Sequence, residues 1–201
     1  MMVILMMKNL FIRLGRTRTL SVFLVLIGLM IQNGWAEEGN APVPKTGQTQ
    51  PYHNNDDGDL ETGVAWPTPR FSEHDDGTVT DELTGLVWMK NANCWGNQLW
   101  NQALDTIAGL NAGSQHCSGY TGNHTDWRLP NIEELESLVD LSQRYPALPS
   151  GHPFSGVQSY NYWSATTAGS TGAWYVYLSL GYVGSNYTYA YDYVWPVRGG
   201  P

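Results

Sequence analysis

The segment Asp126–Asp140, DWRLPNIEELESLVD, carries the signals of a short helix that begins near its centre. Asn131 is a favourable N-cap residue, and Glu134 follows three positions later, as in a capping box. The apolar residues that follow recur at the spacing of one helix face, so they are expected to point into a core. These residues are Leu135, Leu138 and Val139.

A second helix is predicted on the N-terminal side of this segment, over Gln98–Asn111. Its apolar residues recur at helical spacing, and Gly113 stands just beyond its end, where a helix stop is common. The predicted buried stripe comprises Leu99, Ala103, Leu104, Ile107 and Leu110.

Before these helices the sequence predicts a meander of three strands, Arg70–Ser72, Thr78–Asp81 and Leu86–Lys90, joined by the turns HDDG and ELTG. An Asp-Gly pair between alternating strands favours a hairpin. Residues 54–67 are loosely similar to residues 73–88, since each stretch has an Asp-Asp-Gly turn, a Thr-Gly pair and a tryptophan. We therefore expect β-hairpins before the helices.

After the helices the sequence alternates like β-strands, first in residues 173–181, AWYVYLSLG, and then over about Tyr182–Tyr187 and Tyr193–Arg198. Strands, two helices and further strands, in that order, predict an α+β domain with antiparallel β-sheets. The residues expected to face the core are Trp163, Trp174, Val176, Leu178, Leu180, Tyr193 and Trp195.

Residues 1–36 are interpreted as a secretory signal peptide. Residues 20–31, LSVFLVLIGLMI, follow basic residues and precede a small-residue cleavage site that ends at Ala36. This apolar run is shorter than the roughly 20 residues of a membrane-spanning helix. Residues 37–50 are interpreted as a flexible leader to a domain at 51–201. We expect an exported protein, in the periplasm, on the cell surface or extracellular, with no membrane span in the mature chain.

Removal of the signal peptide would leave six basic and eighteen acidic residues, a formal charge of −12. Such a surface repels phosphate backbones, so nucleic acid is not expected as a partner.

The two cysteines, Cys94 and Cys117, are expected to form a disulfide, because an even count in an exported protein is typical of one. The closed loop would stabilise the fold by roughly 3 kcal/mol in the chain-entropy model. A metal site with His116 and His124 is the alternative, but these residues lack the spacing of zinc ligands.

Two acidic turns raise the hypothesis of calcium binding. Neither turn has the complete loop pattern of a calcium-binding hand, and aspartate is also favoured in tight turns for backbone reasons. Calcium stays open as a cofactor, and no other cofactor or metal is expected. The candidate ligands are Asp56, Asp57, Asp59, Asp75, Asp76 and Asp81.

Nine of the twelve tyrosines lie between Tyr160 and Tyr193, and those from Tyr187 onward fall on alternate positions. Residues two apart on a strand point to the same face. Their neighbours are small and polar, a composition typical of antibody binding loops, although aromatic residues also favour strands in general. The predicted ligand-binding residues are Tyr177, Leu180, Tyr182, Gly184, Ser185, Asn186, Tyr187, Tyr189, Ala190, Tyr191 and Asp192.

Several motifs, in their order along the chain, resemble the DUF1566 family, also called the Lcl C-terminal domain, from about Pro44 to Gly200. These motifs are PKTGQT, DDGDLETGVAWPTPRF, DDGTVTDELTGLVWMKNANCWG, DWRLPNIEELESLVD, GHPFSGVQS, YWSATT, AWYVYLS and YVWPVRGG. The resemblance implies a C-type lectin-like fold and a ligand-binding or adhesion module in the periplasm or on a bacterial surface. One relative is a collagen-like adhesin that binds sulfated polysaccharides. Arg128–Pro130 is similar, more distantly, to a motif of formylglycine-generating domains.

The chain lacks several motifs of these relatives, which limits the properties that can be inferred for it from the resemblance. The chain lacks the Glu-Pro-Asn, Gln-Pro-Asp and Trp-Asn-Asp motifs of calcium-dependent sugar-binding lectins, and no cysteine follows Cys117, which excludes the copper–cysteine chemistry. No nucleophile elbow, zinc-protease motif or phosphate-binding loop is present. The glutamates of the second helix favour its dipole. We therefore expect no enzyme and no catalytic residue.

The resemblance leaves the ligand open between an unknown protein and a glycan, with sulfated polysaccharides disfavoured by the negative charge. A structural cell-envelope protein, or an enzyme distantly related to the formylglycine-generating domains, is the alternative. Some relatives are targets of diversity-generating retroelements, which mutate adenines in codons such as AAC. Residues 177–192 contain only residue types that such codons reach. Gly/Ser/Tyr-rich strands meet this condition by chance too, so a diversified binder and an ordinary binding domain both stay open.

Overall fold

Two β-sheets and three helices make up residues 43–199, the part of the chain that the computed structural model describes. The predicted signal peptide and the first residues of the predicted leader lie outside this range. Between residues 43 and 199 no helix has the length and apolar character needed to cross a bilayer. In chain order the elements are α1 (Asp57–Leu60), β1 (Phe71–Glu73), β2 (Thr78–Asp81), β3 (Val87–Met89), β4 (Asn97–Gln98), α2 (Trp100–Asn111), α3 (Ile132–Glu136), β5 (Asn161–Thr167), β6 (Gly172–Tyr177), β7 (Tyr182–Tyr187), β8 (Asp192–Tyr193) and β9 (Val197–Arg198). The predicted α+β class is confirmed.

The first sheet has the strand order β1-β2-β3-β9 and is antiparallel throughout. Its first three strands are the predicted meander, each within one residue of the predicted bounds. Gly77, in the turn HDDG, has φ +83°, a conformation that glycine adopts without steric cost. The fourth strand comes from the far end of the chain, where Arg198 pairs with Val87.

The second sheet has the strand order β4-β8-β5-β6-β7, and β7 forms one of its edges. The β5–β8 pair is parallel and the other pairs are antiparallel. The single strand predicted over Tyr193–Arg198 is therefore wrong. The chain forms β8 in the second sheet, crosses over through Val194–Pro196, and forms β9 in the first sheet.

Helix α3 begins at the predicted N-cap. The Asn131 side chain accepts the N–H of Glu134 at 2.8 Å, and the Glu134 carboxylate accepts the N–H of Asn131 at 2.8 Å, which completes the predicted capping box. Arg128 donates two hydrogen bonds to Glu134, at 2.6 and 2.7 Å, and one to the Gly199 carbonyl at 3.0 Å. The predicted inward residues Leu135, Leu138 and Val139 are buried, although the helix itself ends at Glu136.

Helix α2 begins at Trp100, two residues later than predicted, because Gln98 belongs to β4 and pairs with Asp192 of β8. Of the predicted stripe, Ala103, Ile107 and Leu110 are buried. Leu104 is 36% exposed, so its assignment to the core is wrong, whereas Thr106 is buried.

The first acidic segment forms α1 and not a hairpin, so the hairpin expected from its similarity to residues 73–88 is wrong. The Asp56 carboxylate caps this helix, since it accepts the N–H groups of Tyr52, His53 and Asp59. The Asp59 N–H is a donor of the first helical turn, and the bonds from Tyr52 and His53 fix the preceding turn against the start of the helix, which favours helix over strand.

Part of the predicted leader is hydrogen-bonded to the domain. Lys45 donates its N–H to the Val64 carbonyl and accepts the indole N–H of Trp66, both at 3.0 Å. The Thr46 carbonyl accepts the N–H of Leu141 at 2.9 Å.

Trp195 lies fully buried between the two sheets. Its ring is 4.8 Å from Phe154 and 5.5 Å from both Trp88 and Tyr162, measured between centroids. Its indole N–H donates to the Met89 carbonyl at 2.7 Å. Trp195 therefore links strands of both sheets. The predicted core positions Trp163, Val176 and Leu178 are buried as well.

Two apolar residues predicted to face the core are exposed. Trp174, which pairs with Ser185 of the edge strand β7, is 37% exposed, and Leu180 is 42% exposed in the turn between β6 and β7. Tyr193, also predicted in the core, is partly buried against it.

A buried ion pair joins the meander to α3. Arg70 Nη2 lies 3.3 Å from Asp81 Oδ2, and the same nitrogen donates to the Ser137 carbonyl. Asp81 also accepts the N–H of Leu83 at 3.0 Å. The Arg70 guanidinium lies 4.4 Å above the Trp66 ring centre, which adds a cation–π contact.

The predicted disulfide is confirmed: Cys94 and Cys117 are bonded, with their Cα atoms 5.0 Å apart. The bond ties the segment before β4 to the segment after α2.

Candidate ligand-binding face

The strand register divides the second sheet into a buried face and an exposed face. Cross-strand partners share one face, so the pairs Tyr162–Val176 and Val176–Val183 define one face. Tyr162 and Val176 are fully buried, and Val183 packs against the core. The opposite face is open to solvent near the β6–β7 turn, where Tyr182 is 49% exposed, whereas Trp163 and Ala173 on the same face are fully buried.

Tyrosines follow one another across this exposed face. Tyr177 pairs with Tyr182, and their ring centroids are 4.9 Å apart. Tyr160, just before β5, lies 6.4 Å from Tyr177 in an edge-on arrangement. Tyr160 and Tyr182 are each 49% exposed. We call the four residues Tyr160, Tyr175, Tyr177 and Tyr182 the tyrosine face.

Gly184 gives Tyr175 its position. The two residues are cross-strand partners, and a Cβ atom at residue 184 would lie 2.5 Å from the Tyr175 hydroxyl oxygen. The glycine therefore leaves space for the Tyr175 ring. Burial raises the pKa of Tyr175, and the nearby Tyr182 and Asp192 raise it further. The phenol stays neutral and remains a hydrogen-bond donor.

Asp192 lies beside the tyrosine face with 1% of its surface exposed, so the prediction that it is exposed is wrong. Its carboxylate accepts the side-chain N–H groups of Asn161 at 3.1 Å and Asn186 at 3.3 Å. Burial raises the pKa of Asp192, and the two amide hydrogen bonds oppose that rise. Asp192 thus links β5, β7 and β8.

This burial predicts an unusual pH dependence. Because the folded-state pKa of Asp192 is raised, its favourable contribution is complete below the ordinary carboxyl pKa near 3.8 and is lost as the pH rises through the folded-state pKa. An asparagine side chain at this position cannot ionise. We expect the unfolding free energy of the wild type minus that of Asp192→Asn to decrease between about pH 3 and about pH 7, as measured by urea titration.

Asp126→Asn is the matched comparison, since a hydrogen bond from Arg198 lowers the pKa of Asp126. A group with a lowered folded-state pKa stabilises the protein above the unfolded-state pKa, and this stabilisation is lost in acid. The unfolding free energy of the wild type minus that of Asp126→Asn should therefore increase with pH. Parallel trends for the two variants would contradict the assignment for Asp192.

The alternate spacing predicted that Tyr187, Tyr189 and Tyr191 share one strand face, but those after β7 lie in a turn. The Thr188 N–H donates to the Thr171 carbonyl, and the Thr188 carbonyl accepts the N–H of Trp100, so the chain bends toward the start of α2. The Tyr187 and Tyr189 rings stack with centroids 4.9 Å apart and an interplanar angle of 7°. We call residues 187–191 the tyrosine loop. Its exposed tyrosines are Tyr187 at 57%, Tyr189 at 66% and Tyr191 at 56%.

Tyr182 and Tyr187 are five positions apart and therefore lie on opposite faces of β7. Ser185 is exposed and Asn186 is half-buried, whereas Ala190 packs against the core. The predicted site residues thus surround the edge of the sheet and do not form one flat row. Sequence reasoning missed Tyr160, Asn161 and Tyr175 as members of the site, although Tyr175 falls on the polar side of the alternation in AWYVYLSLG.

The candidate site is almost free of charge. Residues 145–197 contain no lysine, arginine or glutamate, and Asp192 is their one aspartate. Residues 43–199 as a whole contain six basic and sixteen acidic residues, a formal charge of −10. The negative charge therefore lies elsewhere on the domain.

Several of the aspartates considered for calcium already have partners within the protein. Asp56 caps α1, Asp76 accepts the N–H of Thr78 at 3.1 Å, and Asp81 is paired with Arg70. Over residues 43–199, no group of three or more His, Cys, Asp or Glu side chains is arranged to hold a metal ion.

A family model described as the Lcl C-terminal domain matches residues 77–198. This range includes every strand from β2 to β9, and hence the tyrosine face and the tyrosine loop. No curated protein matches the chain.

Proposed function

The chain belongs to the Lcl C-terminal domain family, and we propose that it acts as an exported, non-catalytic module whose ligand contacts the tyrosine face and the tyrosine loop. The family suggests a secreted or surface module. The Cys94–Cys117 disulfide is consistent with an oxidising compartment. The C-type lectin-like relationship belongs to the same proposal.

The main support for the proposal is that exposed tyrosines lie beside small polar residues on a surface that is almost free of charge. Tyr182, Tyr187, Tyr189 and Tyr191 are each about half exposed or more. Tyrosine offers a large contact area at low entropy cost, and serine and asparagine add adaptable hydrogen bonds. An exposed aromatic patch on a soluble domain commonly marks a binding surface.

The charge pattern limits the ligand class. A neutral site within a domain of charge −10 does not attract polyanions. We therefore propose a protein surface or an uncharged glycan as the ligand, and neither nucleic acid nor a sulfated polysaccharide. Binding through phenol rings and amides needs no metal, so calcium is not part of the proposal.

The test is a screen followed by a variant. The immobilised full chain is probed with arrays of neutral glycans, sulfated glycans and cell-surface proteins, and each hit is titrated. The variant in which Tyr187, Tyr189 and Tyr191 are all replaced by alanine should bind at least about tenfold more weakly, because aromatic residues dominate binding energies. Its unfolding free energy should stay within about 1 kcal/mol of the wild type, as is usual for exposed positions.

The matched control replaces tyrosines of similar exposure outside the site, Tyr52 at 84% and Tyr145 at 69%, by alanine. This variant should bind like the wild type. Equal losses in both variants, or a preference for the sulfated array, would refute the proposed site.

Diversification of this surface by a retroelement is the finer proposal. It is supported by the exposure of Leu180, Tyr182, Ser185 and the tyrosine loop, where changes cost little stability. A near-copy of the corresponding DNA should then lie close to the gene, beside a reverse transcriptase gene, and differ almost only at adenines. Differences spread over all four bases would contradict it.

A further inference from the structure

Strand β7 is an edge strand with free backbone groups. The Thr188 N–H donates to the Thr171 carbonyl at 2.9 Å, and the Leu178 N–H donates to the Tyr160 carbonyl at 3.0 Å. These two bonds show which residue pairs of β6 and β7 are hydrogen-bonded, because hydrogen-bonded pairs recur at every second residue of an antiparallel ladder. The backbone N–H and C=O groups of Val183 and Ser185 therefore point away from β6.

The two ends of this edge are closed. The Tyr187 N–H donates to Asn186 Oδ1 at 3.0 Å, and the Tyr187 carbonyl accepts the N–H of Ala190 at 2.8 Å. At the other end, Gly181 turns back to the Tyr177 carbonyl at 2.8 Å. Two donors and two acceptors are left at the centre of the edge, placed symmetrically about Gly184.

The usual protections of an edge strand are missing from β7. Natural proteins block such edges with charged side chains, prolines or bulges. Strand β7, with the sequence YVGSNY, has no charge and no proline, and it pairs with β6 in continuous register. The surrounding stretch of 145–197 is neutral apart from the buried Asp192. A second copy, whose residues 43–199 also carry −10, can approach this neutral edge without bringing like charges into contact.

We propose that two copies of this chain pair antiparallel through β7, about a two-fold axis at Gly184 that is perpendicular to the sheet. In this register the Val183 N–H and C=O groups bond to the Ser185 backbone of the second copy, and Ser185 bonds to its Val183. The axis passes through a non-hydrogen-bonded pair of glycines, so no side chains oppose each other there. The Tyr182 side chain then lies across from Asn186 of the second copy.

This pairing deepens the proposed function but does not depend on it. A two-fold axis perpendicular to the sheet keeps both tyrosine faces on the same side. The two sheets become one continuous sheet, and its exposed face presents two copies of the site to one ligand surface. Two linked sites increase the overall affinity without any new contact.

Sedimentation velocity of the full chain over a wide concentration range tests the proposal. The wild type should change from monomer to dimer as its concentration rises. Ser185→Pro removes the outward N–H at a position where an edge strand tolerates proline, and Ser185→Lys places a charge on the edge. Each should weaken dimerisation by at least about tenfold, or about 1.4 kcal/mol. Ser170→Lys, in the exposed β5–β6 connection, adds the same charge away from the edge and should dimerise normally.

Hydrogen exchange supplies a second measurement, because the amides of residues 183 and 185 should be protected in the wild-type dimer and exposed in Ser185→Lys. A wild type that stays monomeric at every concentration would overturn the proposal, as would a dimer unaffected by both Ser185 variants. Mass is measured without any ligand, so this outcome is separate from failure of the binding screen.

Discussion

Replacing Asp81 by alanine is expected to destabilise the domain by about 3–5 kcal/mol, because the buried Arg70 guanidinium loses its counter-charge. Asp81 is fully buried and Arg70 is 7% exposed. The substitution also removes the acceptor for the Leu83 N–H in the turn between β2 and β3. Urea unfolding measured by tryptophan fluorescence gives the change directly.

Two further variants separate the ion pair from a general effect of charge removal. Asp75→Ala changes an exposed aspartate of the same meander and should alter stability by less than about 0.5 kcal/mol. In the double variant Arg70→Met/Asp81→Ala no charge stays buried, so it should be more stable than Asp81→Ala alone. A double variant less stable than Asp81→Ala would contradict this explanation.

Replacing Trp195 by alanine is expected to cost about 3–5 kcal/mol, the range for a large aromatic side chain in a core. Trp195 is 0% exposed, contacts Phe154, Trp88 and Tyr162, and donates to the Met89 carbonyl. The loss should affect both sheets together, because Trp195 contacts strands of each. Thermal melts followed by circular dichroism should show one transition at a much lower temperature.

Trp174→Ala is the matched control, since it removes the same side chain from a position that is 37% exposed. It should cost less than half as much as Trp195→Ala. Similar costs for the two variants would mean that packing between the sheets is not what makes Trp195 important.

Local signals in the sequence predicted local structure well. The Asn131–Glu134 capping box and the Asp-Gly turn at Gly77 depend on neighbouring residues only, and α3 and the β1–β2 hairpin lie where these signals placed them. The disulfide could be predicted because two cysteines allow only one pairing. The same kind of signal failed at Asp57–Gly58, where the Asp-Gly pair lies in the first turn of a helix capped by Asp56.

Predictions that needed distant partners were less successful. Alternation marked the two sides of β6, yet Trp174 is 37% exposed while Val176 on the same side is fully buried. The tyrosine row was expected to share one face, but hydrogen bonds of Thr188 to Thr171 and Trp100 bend it into a loop. Asp192 is buried because Asn161 and Asn186 converge on it from other strands. No local pattern contains these long-range contacts.

Strands β8 and β9 are the last strands along the chain, and this order affects how the polypeptide folds. Each of these short strands completes a different sheet, pairing with β4 and β3 from much earlier in the chain. A chain emerging from its N-terminal end therefore cannot complete the second sheet until Tyr193 has been added, or the first sheet until Arg198 has been added. Closing such long loops slows folding, so the emerging chain should stay unfolded and sensitive to proteases throughout synthesis. A stop codon anywhere before Asp192 would leave both sheets open, with the hydrophobic surface around Trp88 and Trp163 exposed to aggregation.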